Sequence, residues 1–358
     1  MTSHSGARGS VTEPLVIGIL FDPGFDVDRF RQLIATCPRP VEVLVAPYRE
    51  DTEIRRLKRQ GAAIDAIEAL APPLDPAVGD LMERAEVVLA LDVPVGFSQR
   101  AQRLRWLQGG GVGIGQFDEP TLWARGVTVT TASGVGAPTI AEFALGRILQ
   151  VFKDFRALDE LQHQHRWSFH PGRRLVGKTL GIVGLGAIGS AVARRAKAFD
   201  MRVVAVKRRY EPGSTSPVAD VLYPLTGLDH LLAESDVVLL SAPATPETDN
   251  LIGPRELALM KSDAVLCNVA RGSLVDEAAL VDALQAGRLG AAILDVTQYE
   301  PPPPDDPLWE TPNLYLSPHS SVSQEGYLDG IADLFAANLL RYVAGEPMTN
   351  VVTPDKGY

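Results

Sequence analysis

Short apolar runs alternate with polar, helix-spaced stretches along most of this chain. In the first third, LVIGILF (15–21), VEVLVAP (41–47) and AEVVLALDVP (85–94) predict buried strands. DRFRQLI and RAQRLRWL between and after them predict helices. Continuous apolar runs separated by helical patterns are the signature of a parallel sheet covered on both faces.

A long helical stretch follows, PTIAEFALGRILQVFKDFRALDELQHQH (138–165). Ile140, Phe143, Ala144, Ile148, Phe152, Phe155 and Leu158 recur on one face of it. That face is wide for a mere linker. It serves either core packing or contact with a second copy.

From Thr179 a second series begins: TLGIVG, RVVAV, SDVVLLSAP, AVLCNVA, GAAILDV and NLYLSPH. Six such runs with crossovers suit a doubly wound nucleotide fold. The final helical pattern, GYLDGIADLFAANLLRYVAG, comes after the sixth run. If it packs back on the first region, that region is discontinuous and two crossings form a hinge beside a cleft. The expected division is a disordered leader at 1–14, a substrate domain at 15–136 and 320–350, and a dinucleotide-binding domain at 137–319.

Composition narrows the function. A chain of 358 residues suits two cores rather than one. The net charge of −10, with no long basic patch, makes nucleic acid and anionic membrane poor partners. The two cysteines, Cys37 and Cys267, are far apart, which suits a reducing cytoplasm. No apolar leader core and no run of 18 apolar residues occurs in the sequence. His163, His165 and His170 cluster, but a solvated surface explains them better than a metal site, and no metal is expected.

The chemistry starts at GIVGLGAIGS. Gly184, Gly186 and Gly189 stand in G-x-G-x-x-G spacing between a strand and a helix. One glycine permits the turn, one admits a pyrophosphate, and one lets helix and strand pack closely. The helix start at Ala187 and Ile188 offers N–H groups and a positive dipole end to phosphates. A ligand-free tight turn is the bland alternative. The usual partner of an adenosine ribose is a carboxylate about 20 residues onward. Lys207 stands there instead, followed by Arg208 and Arg209. Cations attract a 2′-phosphate, so NADP is expected to be preferred, with NAD possible. A solvated charge run at a strand end is the alternative.

Three more segments lie at strand ends. Arg271 follows the run 264–268 and suits a carboxylate substrate; a surface ion pair is the alternative. Asp295 sits in a buried run, and Glu300 precedes four prolines that stiffen its backbone. His319 ends the sixth run. A lone histidine is commonly structural, but beside a carboxylate it becomes a proton donor near neutral pH. The cluster GGGVGIG (109–115) offers bare backbone to a small anion.

With these residues in view, the chain resembles the D-isomer-specific 2-hydroxyacid dehydrogenase family, including its glyoxylate/hydroxypyruvate reductase-like and phosphoglycerate dehydrogenase-like members. GKTLGIVGLGAIG, PATPETDNLIG, NVARGSLVDEAAL, LDVTQYEPPP, PLW and NLYLSPHSS carry the likeness, in the right order. LRWLQGGGVGI, GVTVTTASGV and IAEFAL extend it, over about residues 85 to 350. The resemblance implies an α/β fold with two Rossmann-like domains. A doubly wound nucleotide-binding domain would be inserted into a smaller flavodoxin-like substrate domain. It implies His319 as acid/base, Glu300 as its paired carboxylate, and Arg271 as the group that binds and polarises a 2-oxo acid. It further implies Asp295 at the nicotinamide, Pro243 in the adenine pocket, Ala270 against the cofactor, and the backbone of Val112 and Gly113 on the substrate carboxylate. A homodimer is expected, and the D-stereochemistry rests on the resemblance alone.

The chain also departs from the family. Lys207 replaces the ribose-binding Asp, Gly115 stands where many members carry Asp or Asn, and TQY precedes Glu300. The chain ends soon after the last helix, so no C-terminal regulatory domain is expected. The competing reading is a dinucleotide-sensing protein like the corepressors that resemble this family. A formate dehydrogenase-like activity is disfavoured, because those relatives carry Gln where Glu300 stands.

Overall fold

The computed structural model describes residues 13–21, 24–59 and 64–354. Most of the expected leader at 1–14 lies outside those residues. The chain divides into two compact units, Met1–Val135 with Gln324–Tyr358, and Gly136–Ser323.

In the first unit the strands are β1 (Leu15–Leu20), β2 (Val41–Val45), β3 (Val87–Ala90), β4 (Trp106–Gly109) and β5 (Thr128–Thr130). β1 pairs in parallel with both β2 and β3, and the sheet continues through β4 to β5. This 2-1-3-4-5 order is flavodoxin-like.

The second unit holds β6 (Thr179–Val183), β7 (Arg202–Val206), β8 (Val221–Tyr223), β9 (Val237–Leu240), β10 (Val265–Asn268), β11 (Ala291–Leu294) and β12 (Leu314–Leu316). Their order is β12-β11-β10-β9-β6-β7-β8, all parallel. The chain reverses direction across the sheet between β6 and β9, which is where open α/β sheets bind ligands. A last strand, β13 (Val351–Val352), returns to the first unit and pairs antiparallel to β5.

Apolar clusters cover both faces of each sheet. The helix Tyr327–Ala344 packs on the first unit, where Phe335 stacks on Trp106 at 4.7 Å between ring centroids. Among the described residues no helix is long and apolar enough to cross a membrane.

Three local expectations need correction. RAQRLRWL is not one helix: the helix Phe97–Arg100 ends at its first residue, and Trp106 and Leu107 lie in β4. Tertiary burial of both side chains between β3 and β5 overrides their helix-like spacing. The stretch 138–165 is two helices, Ala137–Lys153 and Phe155–His163, broken at Asp154 in left-handed backbone (φ 51°). Phe152 is buried, whereas Phe155 and Leu158 beyond the break are exposed. The second sheet has a seventh strand, β8, whose three half-buried residues are too few to show a periodicity.

Candidate active site

The loop after β6 gives each glycine its own physical reason. Gly184 has φ +97°, and a Cβ there would meet the Ala242 nitrogen at 2.7 Å. A Cβ on Gly189 would lie 2.4 Å from the Gly184 carbonyl oxygen. Gly186 differs: its missing Cβ faces open space, so nothing in the protein excludes a side chain there. A bare α-carbon facing open space at a helix start is what the approach of a pyrophosphate requires. No side chain caps the helix that begins at Ala187 and continues through Ile188, so its first N–H groups are available to an anion. The residues present therefore fit a dinucleotide.

Two neighbouring strand ends frame this loop. Gly184 N–H donates to the Val206 carbonyl at 3.1 Å, which places the end of β7 beside it. Lys207, Arg208 and Arg209 follow and are exposed, with the Lys207 N–H bonded to the Tyr223 carbonyl. Arg208 also acts on Glu247, whose carboxyl is held below its ordinary value, first by the Thr245 hydroxyl and then by its own backbone N–H. On the other side, Ser241 Oγ donates to the Gly184 carbonyl at 2.7 Å. Pro243 follows in a loop that the Thr248 hydroxyl closes onto the Pro243 carbonyl at 2.8 Å.

The remaining predicted residues of this unit cluster after β10, β11 and β12. His319 Nδ1 lies 3.0 Å from Glu300 Oε2, and both side chains are partly exposed. Asp295, 1% exposed, binds the histidine loop from below. Its Oδ1 accepts from Ser317 Oγ at 2.8 Å and Ser320 N–H at 2.9 Å, and its Oδ2 accepts from Ser321 N–H at 3.0 Å. Its backbone carbonyl accepts the His319 N–H at 2.8 Å. His319 itself adopts left-handed backbone, φ 51°. Non-glycine residues seldom occupy that region unless surrounding bonds hold them there. Cys267 lies near Asp295, and burial, with a smaller contribution from Asp295, pushes its thiol up to about 12. That thiol stays protonated and inert.

Arg271 is exposed at the start of its loop, with Nη1 donating to the Ala270 carbonyl at 2.6 Å. The fully buried Asn268 at the end of β10 clamps this loop. Its Nδ2 donates to the Arg271 carbonyl at 2.8 Å, and its Oδ1 accepts the Ala270 N–H at 3.0 Å. Gly272 then presses on the next loop: a Cβ there would sit 2.0 Å from the Thr297 carbonyl carbon. The loops bearing Arg271 and Glu300 thus interlock. Asn268, Gly272, Ser317, Ser320 and Ser321 were not singled out by sequence reasoning. Their motifs were visible, but which of their atoms bond where was not.

Val112 and Gly113 lie in the other unit, in the loop after β4, where Gly110 N–H donates to the Ala90 carbonyl at 2.7 Å. Val112 is exposed there and Gly113 half-buried. His163, His165 and His170 are exposed, and His170 Nε2 pairs with Asp154 Oδ2 at 2.6 Å. Among the described residues no group of three His, Cys, Asp or Glu is arranged for a metal.

Comparison with known proteins identifies the family. Residues 145–321 match the family model described as D-isomer specific 2-hydroxyacid dehydrogenase, NAD binding domain. A glyoxylate reductase from Korarchaeum cryptofilum is 34% identical over 294 residues, 80% of this chain and 88% of that one. A crystal structure of a D-isomer specific 2-hydroxyacid dehydrogenase family protein from Aeromonas salmonicida superposes with a TM-score of 0.76 at 29% identity, covering 95% of this chain and 99% of that one. Another, a D-isomer specific 2-hydroxyacid dehydrogenase from Xanthobacter autotrophicus in complex with NADPH and MES, has a TM-score of 0.72 at 27% identity, covering 95% and 100%. On these grounds the chain belongs to the D-isomer specific 2-hydroxyacid dehydrogenase family of NAD(P)-dependent oxidoreductases.

Proposed function

We infer that this protein interconverts a small 2-oxo acid and its D-2-hydroxy acid, with NADPH preferred over NADH. The observation that carries the reading is the His319–Glu300 pair at 3.0 Å, beside the loop of Arg271. When bound, the reduced nicotinamide supplies a hydride to the substrate carbon. Gly184, Gly186, Ala187, Ile188 and Gly189 would hold its pyrophosphate, with Pro243 and Ala270 along its length. Lys207, Arg208 and Arg209 would grip the 2′-phosphate.

The protein's own part is binding and proton handling. Negative charge grows on the substrate carbonyl oxygen during reduction. The Arg271 guanidinium stabilises that charge, and His319 donates a proton to the oxygen. Glu300 Oε2 pairs with Nδ1, which fixes the ring and leaves Nε2 for the substrate. Asp295 holds the histidine loop in its left-handed turn and stands where the nicotinamide is expected. The backbone of Val112 and Gly113 would bind the substrate carboxylate. Glyoxylate and hydroxypyruvate are the candidate substrates, because bare glycine backbone suits small acids. The relative from Korarchaeum cryptofilum is named a glyoxylate reductase, and the Xanthobacter autotrophicus structure contains NADPH; both support the reading.

A homodimer belongs to the same proposal. Phe155, Leu158, Trp167 and Phe169 are exposed along and after the second helix of the pair, an apolar surface suited to a second copy. A monomer by light scattering would remove this part. The activity is tested by following NADPH and NADH oxidation with a panel of 2-oxo acids. Turnover with a small 2-oxo acid supports the reading. Absence of turnover with every acid and both cofactors contradicts it.

A further inference from the structure

Glu277 opens the helix Glu277–Gln285, just after the N-cap Asp276, whose side chain accepts the Ala279 N–H at 3.0 Å. A carboxylate in a first helical turn is stabilised by the helix dipole wherever it points. This one turns inward. It is half-buried, and its Oε1 accepts the backbone N–H of Gln298 at 2.7 Å. Burial first, and then the charges of Asp306 and Glu300, push its carboxyl above the ordinary range, against the pull of the Gln298 N–H.

What the bond holds is the segment that ends in Glu300. Gln298 Nε2 donates to the Val275 carbonyl at 2.8 Å, so the residue is tied at backbone and side chain. Thr297 Oγ1 donates to the Tyr299 carbonyl at 2.7 Å. Gly272 packs so close that a Cβ would stand 2.4 Å from the Gln298 nitrogen. Glu277 therefore closes a strap across residues 297–300 while touching neither His319 nor the expected substrate position.

We propose that Glu277 is a positioning residue: by accepting the Gln298 N–H it sets the placement of Glu300 against His319. This rests on the reading of Glu300 and His319 as the proton-handling pair. Reach and charge can be separated. Glu277→Gln keeps an acceptor at the right distance and removes the charge. Glu277→Asp keeps the charge and the favourable helix start but falls one methylene short. Glu277→Ala removes both.

The experiment measures kcat for 2-oxo acid reduction across pH in these variants, with NADPH affinity by fluorescence titration. Positioning predicts that Asp and Ala lower kcat about tenfold and move the high-pH fall in rate to lower pH. It predicts that Gln keeps the wild-type pH profile and that NADPH affinity changes in none of the three. A role limited to the helix start predicts the reverse ranking, with Asp like wild type and Gln impaired, and that ranking overturns the proposal. So does a Gln profile displaced as far as that of Ala, which assigns the effect to charge. If the Ala variant does not fold, the contrast between Asp and Gln decides. A His319→Gln control separates the two levels. If the high-pH fall survives in that control, the parent reading fails and the proposal with it. If the fall depends on His319 but ignores Glu277, the proposal alone fails.

Discussion

His319 Nδ1 and Glu300 Oε2 meet at 3.0 Å although they come from loops after two different strands, β12 and β11. Two separately supported loops converge on one hydrogen bond, which is the arrangement expected of an acid/base and its orienting partner. In the proposed reduction His319 would supply the proton. Under the proposed role, Glu300→Ala removes the partner that orients the imidazole, and the expected result is a kcat about tenfold lower with NADPH affinity unchanged. An unchanged kcat removes Glu300 from that role.

The cations after β7 make a separate prediction about cofactor choice. Replacing Lys207, Arg208 and Arg209 together by Ala removes the charge-assisted donors available to a 2′-phosphate. The expected loss in kcat/KM is about a hundredfold for NADPH, with little change for NADH. Equal kcat/KM for the two cofactors in the wild type contradicts the preference.

Asp236 supports the second sheet from below. Burial raises its carboxyl, but the Thr179 N–H, Lys178 and Lys261 outweigh this and hold it below the ordinary value. Thr179 N–H reaches Oδ2 at 2.8 Å and Lys178 Nζ reaches Oδ1 at 3.1 Å. A depressed folded-state value contributes stability above the unfolded value, near pH 4, that is lost as pH falls through the folded value. Asp236→Asn is expected to cost about 2 kcal/mol at pH 7, by denaturant titration. The difference from wild type should shrink as pH falls below about 4. A constant difference across pH would assign the loss to packing alone.

Much of this architecture is legible in the sequence. The apolar runs that became β1, β3, β6, β7 and β9–β12 are buried on both faces, so their continuous hydrophobicity was an unambiguous signal. The glycine frame was legible as a spacing between a strand and a helix; Gly184 and Gly189 answer steric demands within the protein, whereas Gly186 faces open space. β8 was not: three half-buried residues at a sheet edge leave no period to detect. β4 was misread because RAQRLRWL has helical spacing, and only burial between two strands reveals its extended form. The break at Asp154 was hidden because the apolar spacing runs through it unbroken, and the turn depends on one residue's left-handed backbone. At the site, side chains that bear chemistry stood out by type. The residues that hold them did not. Asn268, Glu277, Ser320 and Ser321 make bonds to or from backbone N–H and carbonyl groups, and Ser317 bonds through its hydroxyl, none of which a side-chain pattern encodes.

The central claim is that His319 supplies the proton during reduction of a 2-oxo acid. Its most direct test is single-turnover NADPH oxidation by wild type and by His319→Ala at saturating 2-oxo acid, with NADPH affinity measured in parallel. The account predicts a rate at least about a hundredfold lower in the variant, with NADPH bound as tightly as before. A variant that oxidises NADPH at the wild-type rate would contradict it.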